Sequence, residues 1–190
     1  MATREEQKEA RRYEILMVAL DLFIKKGFGG TRIVDIAKAA GMSTGLLFHY
    51  YESKEKLYEA LVEFGVHGPQ SVMQQKNLAP ILFFQKAVET IFFYMKENPF
   101  TAKVFVLMMQ VCNQEPVTER IAELLPTLTN IEDSIPIIQK GQKLGEIREG
   151  DPLALSIAFW GAIQGIAESF AMNPEFPLPD SQWVLDIIRK

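Results

Sequence analysis

Apolar residues recur every three or four positions along this chain, and that helical spacing limits the possible folds more than any other feature. No stretch shows the sustained alternation of apolar and polar residues that is typical of a half-buried strand. The 190 residues, 48% of them apolar, suffice for one full core or for a small module joined to a larger domain. The sequence therefore predicts an all-α protein.

The charge distribution and the few Cys and His residues limit the kinds of partner and metal site that the chain can have. Residues 1–65 carry ten Lys and Arg and ten Asp and Glu, whereas residues 66–190 carry ten and fourteen, so the net charge of −4 lies in the second part. A neutral first part neither requires nor excludes a polyanionic partner. Cys112 is the single cysteine and His49 and His67 are the two histidines, so we expect no disulfide, metal site or cofactor.

Membrane insertion and secretion are not expected. Apolar runs such as Val104–Met109 are far shorter than the ~18 residues that span a bilayer. No charged start followed by an apolar run resembles a signal peptide. We therefore expect a cytoplasmic protein.

Capping residues and glycines divide the first part of the chain into four predicted helices. Thr3 and Glu6 form a capping box for the first helix, which should end at Gly27. Thr31 and Ser43 can cap the second and third helices. The predicted helices cover about 4–27, 32–39, 44–50 and 53–66.

Longer helices are predicted in the second part. Gly65–Gln70 is rich in glycine and proline, which indicates a boundary, and Pro136 should kink or split the helix that contains it. We expect a DNA-binding domain at 1–52, a linking helix at 53–66 and a helical domain at 67–190. The helices predicted in that last domain cover about 79–97, 100–113, 117–125, 127–144, 152–172 and 181–190.

The second and third helices have the features of a helix-turn-helix. Gly41 tolerates the positive φ of a sharp turn, and Ala37 is small where the second helix must approach. Ile36, Met42 and Leu47 supply apolar contacts between the two helices. A glycine turn alone is common in proteins without a nucleic-acid function, but this combination at these offsets favours a DNA-binding unit.

The same segment resembles a known family. Residues 30–45 read GTRIVDIAKAAGMSTG, residues 47–51 read LFHYY and residues 53–57 read SKEKL. This pattern closely resembles the DNA-binding domain of TetR-type transcriptional regulators, with the strong match over about residues 10–60. The resemblance implies an N-terminal three-helix domain, a fourth linking helix, and a larger helical domain that dimerises and usually binds a small effector.

Roles for the DNA-binding residues follow from the chemistry and from the resemblance together. Hydroxyl groups and cations near helix N-termini suit phosphate, and polar side chains on the third helix suit base edges. Leu46 and Phe48 depart from the small polar residue and the Tyr that are common in the family, and both can contact thymine methyl groups. Tyr50 fits a phosphate contact or a core position equally well. The predicted DNA-binding residues are Thr31, Arg32, Ser43, Thr44, Gly45, Leu46, Phe48, His49, Tyr50 and Lys54, and the cations Arg4, Lys8, Arg11 and Arg12 are either backbone contacts or part of a solvated face.

The second domain is rich in Phe and Met between residues 81 and 112. For any single residue a core position is the simplest interpretation, but rigid Phe beside flexible Met suits an adaptable apolar cavity. We therefore predict a lipophilic effector in a pocket lined by Phe84, Phe92, Phe105, Met108, Met109, Cys112, Trp160 and Gln164.

Small side chains at three- and four-residue steps on the penultimate helix permit close helix packing. Together with the last helix they predict a homodimer, as the resemblance implies, and two-fold symmetry predicts a palindromic operator. The predicted dimer interface is Ala158, Gly161, Ala162, Gly165, Ser169, Ile187 and Ile188.

Function is thus predicted as a TetR-type repressor released from double-stranded DNA by its effector. The alternative is a DNA-bound dimeric adaptor whose second domain engages a protein. An enzyme is not expected, because the Ser53-x-x-Lys56 pair lacks companion motifs and no phosphate loop or dinucleotide fingerprint occurs.

Overall fold

A computed structural model describes residues 3–73, 78–127 and 130–190, and these segments are mostly helical. The predicted all-α class is confirmed. A short 3₁₀ helix, Leu125–Thr127, follows α7. The helices in the described segments are α1 Arg4–Gly30, α2 Ile33–Ala39, α3 Thr44–Phe48, α4 Lys54–Met73, α5 Pro80–Glu97, α6 Pro99–Cys112, α7 Glu119–Leu124, α8 Asn130–Leu144, α9 Pro152–Met172 and α10 Ser181–Leu185.

Helix starts follow the local signals in the sequence. The capping box at the start of α1 forms, with the Glu6 amide donating to Thr3 Oγ1 at 3.2 Å and the Thr3 amide to Glu6 Oε2 at 2.7 Å. Asp151 caps α9 through a 2.8 Å hydrogen bond from the Ala154 amide, ahead of proline at the first position. Such caps depend on residues within one turn, so they are predictable from the sequence.

Several helix ends differ from the predicted positions. The third helix ends at Phe48 rather than Tyr50, and the last ends at Leu185 because the following residues turn back, with Arg189 forming an antiparallel bridge to Ile147. Pro136 lies inside a single helix, α8, rather than splitting it. These ends are set by contacts with distant segments, which helical periodicity does not encode.

The fourth helix continues through Gly65 to Met73, beyond the predicted end at residue 66. Gly65 lies against α6, where an added Cβ would be 2.4 Å from Met108 Sδ and 3.1 Å from Val104 Cγ1. The glycine therefore permits close packing of α4 on α6 rather than ending the helix.

Two hydrophobic clusters form the core. The first joins α1–α4 to α6 and α7, with Phe23 and Leu47 in the same cluster as Phe100 and Leu107. The second is built mainly from α5, α8, α9 and α10 around Phe159. The DNA-binding helices consequently share a core with α6, while the predicted domain boundaries stay a prediction.

Helix α9 buries one face and exposes the other. Its buried residues are Ser156, Phe159, Ile163, Ala167 and Phe170, whereas the opposite face is apolar and exposed. By length and composition alone α9 could cross a membrane, since an 18-residue window has a mean hydropathy of 1.3 and is 33% buried. The exposed face of α9 is the feature that needs a partner.

Candidate nucleic-acid interface

The predicted helix-turn-helix is formed by α2 and α3. Gly41 has a φ of 66°, and the Met42 amide donates to the Ala37 carbonyl at 3.0 Å. Leu47 is fully buried in the first cluster, so it fixes the inner face of α3. The outer face of α3 is thereby turned toward solvent.

Most of the residues predicted to contact bases lie on that outer face. Gly45, Leu46, Phe48 and His49 are exposed, and Thr44 is half-buried. Leu46 and Phe48 expose 46% and 43% of their surface, which is high for large apolar side chains, and none of the described residues covers them further. We call this face of α3 the recognition face.

Ser43 is exposed and caps α3, because its Oγ accepts a 3.1 Å hydrogen bond from the Leu46 amide. A short helix begun by a serine presents its remaining amide groups to solvent, where a phosphate oxygen can accept from them. The predicted position of Ser43 beside the DNA backbone is compatible with this geometry.

Val34 on α2 was not predicted as a site residue, yet 49% of its surface is exposed. Its neighbours Ile36 and Ala37 are buried, so Val34 lies outside the apolar stripe of α2. An apolar residue out of phase with the buried face was the signal that could have identified it.

Arg32 is bound to Asp35 in the free protein. Its Nε and Nη2 atoms lie 3.2 and 3.1 Å from the two carboxylate oxygens, and the arginine side chain remains 75% exposed. The hydrogen bond from Arg32 holds the pKa of Asp35 below its usual value. Because this ion pair is exposed, a phosphate can replace the carboxylate at small cost.

The prediction that the Thr31 hydroxyl contacts phosphate is wrong. Thr31 is fully buried, and its hydroxyl lies 2.8 Å from the Gly27 carbonyl and 3.2 Å from the Leu22 carbonyl. The side chain satisfies carbonyl groups at the end of α1, where Gly27 breaks the helical conformation with a φ of 69°. A hydroxyl enclosed in this way does not reach DNA.

Lys54 also has an internal role that the sequence did not predict. Its Nζ donates to the Phe28 carbonyl at 2.8 Å and the Thr31 carbonyl at 2.9 Å, and lies 4.0 Å from the centroid of the Phe28 ring. The ammonium group is thus held at the end of α1 rather than extended toward solvent.

The basic residues of α1 are of two kinds: some bind carbonyl groups within the protein and others are exposed. Arg11 donates to the Ala40 carbonyl and Arg12 to the Tyr50 carbonyl, each at 2.9 Å, whereas Arg4 and Lys8 are exposed. Tyr50 itself is half-buried and packs against the first cluster, which favours the core interpretation of its ring.

The predicted effector-pocket residues do not converge on one cavity in this structure. Phe84 and Phe92 are buried in the second cluster, and Phe105 and Trp160 pack against it. Met108 instead packs against the first cluster, and Met109 and Cys112 are exposed.

The polar groups of this set have partners within the chain. Trp160 Nε1 donates to Ser134 Oγ at 2.9 Å, and Gln164 Nε2 donates to the Phe105 carbonyl at 3.2 Å and to Glu168 at 2.9 Å. Both polar side chains are therefore hydrogen-bonded within the protein in this conformation.

The predicted dimer residues on α9 lie on its exposed side. A groove of about 590 Å³ separates α9 from the segment at 173–180, and four of the predicted residues, Gly161, Ala162, Gly165 and Ser169, line it. Ala158 is exposed beside it.

The last helix differs from the prediction. Ile188 is fully buried and Ile187 packs against the second cluster, so neither forms an exposed face, and the inclusion of Ile188 is wrong. The exposed apolar residues that the sequence analysis missed on this side are Leu153, Ile157, Met172, Phe176 and Trp183.

Comparisons with known proteins agree with this arrangement. The sequence profile described as "Bacterial regulatory proteins, tetR family" matches residues 15–61, the helices around the turn at Gly41. Residues 15–61 therefore match the DNA-binding domain of the TetR family of transcriptional regulators. These findings support a DNA-binding transcriptional regulator of the repressor type, and the TetR family is not a family of enzymes.

Full-length relatives are distant. The chain is 26% identical to HTH-type transcriptional regulator RutR of Escherichia coli strain K12 over 168 residues, which cover 87% of this chain and 77% of RutR. HTH-type transcriptional repressor KstR2 of Rhodococcus jostii is 40% identical over 55 residues, covering 29% of this chain and 27% of KstR2. The higher identity is thus confined to less than a third of this chain.

Solved structures share the fold. AibR, in a complex with isovaleryl coenzyme A and operator DNA, has a TM-score of 0.71 at 20% identity, covering 93% of this chain and 94% of AibR. PfmR, a TetR family regulator from Thermus thermophilus, has a TM-score of 0.70 at 22% identity, covering 90% of this chain and 93% of PfmR. At these identities the likeness establishes the TetR fold alone.

Proposed function

We propose that this TetR-family protein is a sequence-specific repressor that binds a palindromic operator as a homodimer and is released by a lipophilic small molecule. The observation that carries the proposal is the recognition face, on which Leu46 and Phe48 are exposed while Leu47 between them is buried. An exposed apolar and polar face on a short helix after a tight turn is suited to the major groove of DNA.

Base recognition is assigned to the recognition face. Thr44 and His49 can hydrogen-bond base edges, Gly45 lets the backbone approach closely, and Leu46 and Phe48 can contact thymine methyl groups. Phosphate contacts are assigned to Arg32 and to the amide groups at the start of α3, which Ser43 caps.

Dimerisation is assigned to the exposed face of α9. An apolar face of this length, with small residues at Gly161 and Gly165 and large ones at Leu153 and Ile157, is typical of a surface that a second copy covers. Two-fold symmetry places the two α3 helices one DNA turn apart, about 34–36 Å, which predicts two inverted half-sites. A regulator of chromosomal DNA acts in the cytoplasm.

Effector release is proposed on chemical grounds and by analogy with AibR, whose structure contains isovaleryl coenzyme A. The effector must bind better to the dimer geometry in which the recognition helices no longer match adjacent grooves, with a coupling of ~1–3 kcal/mol. The close contact of Gly65 on α4 with Met108 on α6 is the path by which a change in the second domain would move the DNA-binding helices.

An adaptor that engages a protein is the second candidate. Two observations favour it: the predicted pocket residues do not converge on one cavity, and Phe93 and Tyr94 on α5 expose 59% and 54% of their surfaces side by side. Replacement of this aromatic pair by serine would weaken partner binding in an adaptor and leave effector release unchanged in a repressor.

Selection from a random duplex library tests operator binding. The purified protein should enrich a duplex with inverted repeats whose centres are about one DNA turn apart. Failure to enrich any sequence would contradict sequence-specific binding, and enrichment of a single unrepeated site would contradict the palindrome.

A thermal-shift screen with apolar and acyl compounds tests the effector. A compound that binds the folded protein raises its melting temperature, and the same compound at saturation should lower affinity for the selected duplex. A stabilising compound that leaves DNA affinity unchanged would contradict effector release.

A further inference from the structure

The end of the recognition helix is held by a side chain from α1. Arg12 Nη1 donates to the Tyr50 carbonyl at 2.9 Å, and the guanidinium carbon lies 4.6 Å from the centroid of the Tyr51 ring. In return, the Tyr51 hydroxyl donates to the backbone carbonyl of Arg12 at 3.4 Å. We propose that Arg12 is a positioning residue that sets the orientation of α3 for operator binding and does not itself contact DNA; this rests on the proposed operator binding.

The short length of α3 makes such a contact necessary. A five-residue helix has few internal hydrogen bonds with which to hold its own conformation. Ser43 fixes its start and Leu47 its inner face. Arg12 fixes the segment that follows, through the Tyr50 carbonyl two residues beyond the last residue of α3.

The neighbouring arginine has the equivalent contact with the other helix of the pair. Arg11 Nη2 donates to the Ala40 carbonyl, which follows the last residue of α2, at 2.9 Å. Adjacent arginines on α1 therefore hold the ends of both helices, so α1 fixes the angle between α2 and α3.

The same geometry separates positioning from a direct phosphate contact. The guanidinium of Arg12 is directed at the Tyr50 carbonyl and the Tyr51 ring, with Glu9 Oε1 3.7 Å from its Nε. A cation neutralised and hydrogen-bonded within the protein releases few counterions from DNA. Loss of Arg12 should therefore reduce operator affinity without changing its salt dependence.

Arg12→Gln and Arg12→Lys test the proposal on two probes: the duplex selected by the unaltered protein and a scrambled duplex of the same composition. Arg12→Gln should weaken binding to the selected duplex about tenfold per folded molecule, because a charge-assisted hydrogen bond is lost. Binding to the scrambled duplex should change less than twofold, and the slope of log affinity against log salt should not change. Arg12→Lys should show an intermediate loss, since an ammonium makes one hydrogen bond and stacks less well.

Lys25→Gln is the matched control, because Lys25 is an exposed α1 cation to which neither a DNA contact nor a helix-end contact is assigned. A phosphate-contact role for Arg12 would instead give equal losses on both duplexes, a salt slope smaller by about 0.9 and full recovery with lysine. That pattern, or unchanged binding of Arg12→Gln to both duplexes, would overturn the proposal.

Tyr51→Phe keeps the proposal testable if Arg12→Gln does not fold. This variant removes the hydroxyl that donates to the Arg12 carbonyl and keeps the ring. We expect a two- to threefold loss of operator affinity at an unchanged salt slope, because about one neutral hydrogen bond is lost. Hydrogen exchange without DNA supplies an independent measurement. Amides at 47–51 should exchange faster in either variant, and unchanged exchange would reject the role of Arg12 even if no duplex were selected.

Discussion

The basic residues of the N-terminal helices have two different uses. Arg11, Arg12 and Lys54 each donate to carbonyl groups at the end of a neighbouring helix, whereas Arg32 is exposed and paired with a carboxylate. A cation at a helix C-terminus stabilises the fold because it satisfies carbonyl groups that lack helical partners. The neutral charge of residues 1–65 therefore understates how strongly the fold itself depends on basic side chains.

Replacement of Lys54 by methionine separates these uses. Lys54→Met keeps the aliphatic stem but removes both hydrogen bonds, at 2.8 and 2.9 Å, to the carbonyl groups at the end of α1. We expect the free energy of unfolding to fall by about 1–3 kcal/mol in denaturant titration. The salt slope of DNA binding should not change; a slope smaller by about one unit would restore the phosphate role predicted from the sequence.

Lys25→Met is the control for stability, because Lys25 is an exposed lysine on α1. A surface substitution of this kind usually changes the unfolding free energy by less than about 0.5 kcal/mol. An equal loss in both variants would mean that the carbonyl contacts of Lys54 contribute nothing specific.

Leu46 provides a test of thymine recognition. Its exposed side chain has no polar group, so its contribution to specificity should come from a methyl group in the major groove. Replacing single thymines of the selected duplex by uracil, which lacks that methyl, should cost the unaltered protein ~1 kcal/mol or more at one position. Leu46→Ala should bind the thymine and uracil duplexes equally; a uracil penalty that persists in Leu46→Ala would exclude the contact.

At the scale of elements, local signals predicted the helices well and long-range contacts decided the rest. Thr3, Gly41 and Asp151 act within one turn of their own helix, so the sequence identified their roles. Thr31 and Lys54 were assigned to phosphate because the carbonyl groups that they bind are fixed only when α1, α2 and α4 assemble. Periodicity marks which residues are apolar but not whether a cluster is a packed core or a cavity.

Glu59 on α4 lies where this helix contacts α7. The side chain of Glu59 is buried, and burial by itself raises the pKa of its carboxyl group. Hydrogen bonds from Lys56, 2.7 Å away, and from Thr118 outweigh this effect, so the pKa of Glu59 lies below its ordinary value. Arg120 on α7 adds a positive charge and an ion pair to Glu63 at 2.9 Å. The carboxylate of Glu59 thereby ties α7 to the helix that links to the DNA-binding unit.

Replacement of Glu59 by glutamine should make the pH dependence of stability shallower. Because folding lowers the pKa of Glu59, the carboxylate stabilises the folded protein fully at pH values above its pKa in the unfolded chain, about 4.3. This stabilisation is lost as the pH falls through the pKa of Glu59 in the folded protein. Glu59→Gln should therefore reduce the unfolding free energy by about 1–2 kcal/mol at pH 7 and by progressively less below pH 5, measured in denaturant titrations. Glu149→Gln, an exposed carboxylate, is the control, and a difference that does not shrink in acid would contradict the role of Glu59.

At the scale of the whole molecule, the shared core and the exposed face of α9 together determine how two recognition helices would be spaced in a dimer. The first cluster joins α1–α4 to α6, so the DNA-binding helices share their core with a helix of the second part of the chain. The exposed side of α9 lies in that second domain, far along the chain from α3. A second copy bound to α9 would therefore fix the spacing of the two recognition helices through the shared core.

Ile157→Glu tests this arrangement. Ile157 exposes 51% of its surface on α9, where a carboxylate buried in a dimer interface without a partner would oppose association. Light scattering should give the mass of two chains for the unaltered protein and one chain, 21.6 kDa, for the variant. Leu82→Glu is the control, since Leu82 is 36% exposed on α5 and its substitution should leave the dimer intact.

Loss of the dimer should also weaken DNA binding. Loss of one half-site contact should lower affinity for the selected duplex by about 100-fold, and an Ile157→Glu protein that remains dimeric would place the interface elsewhere.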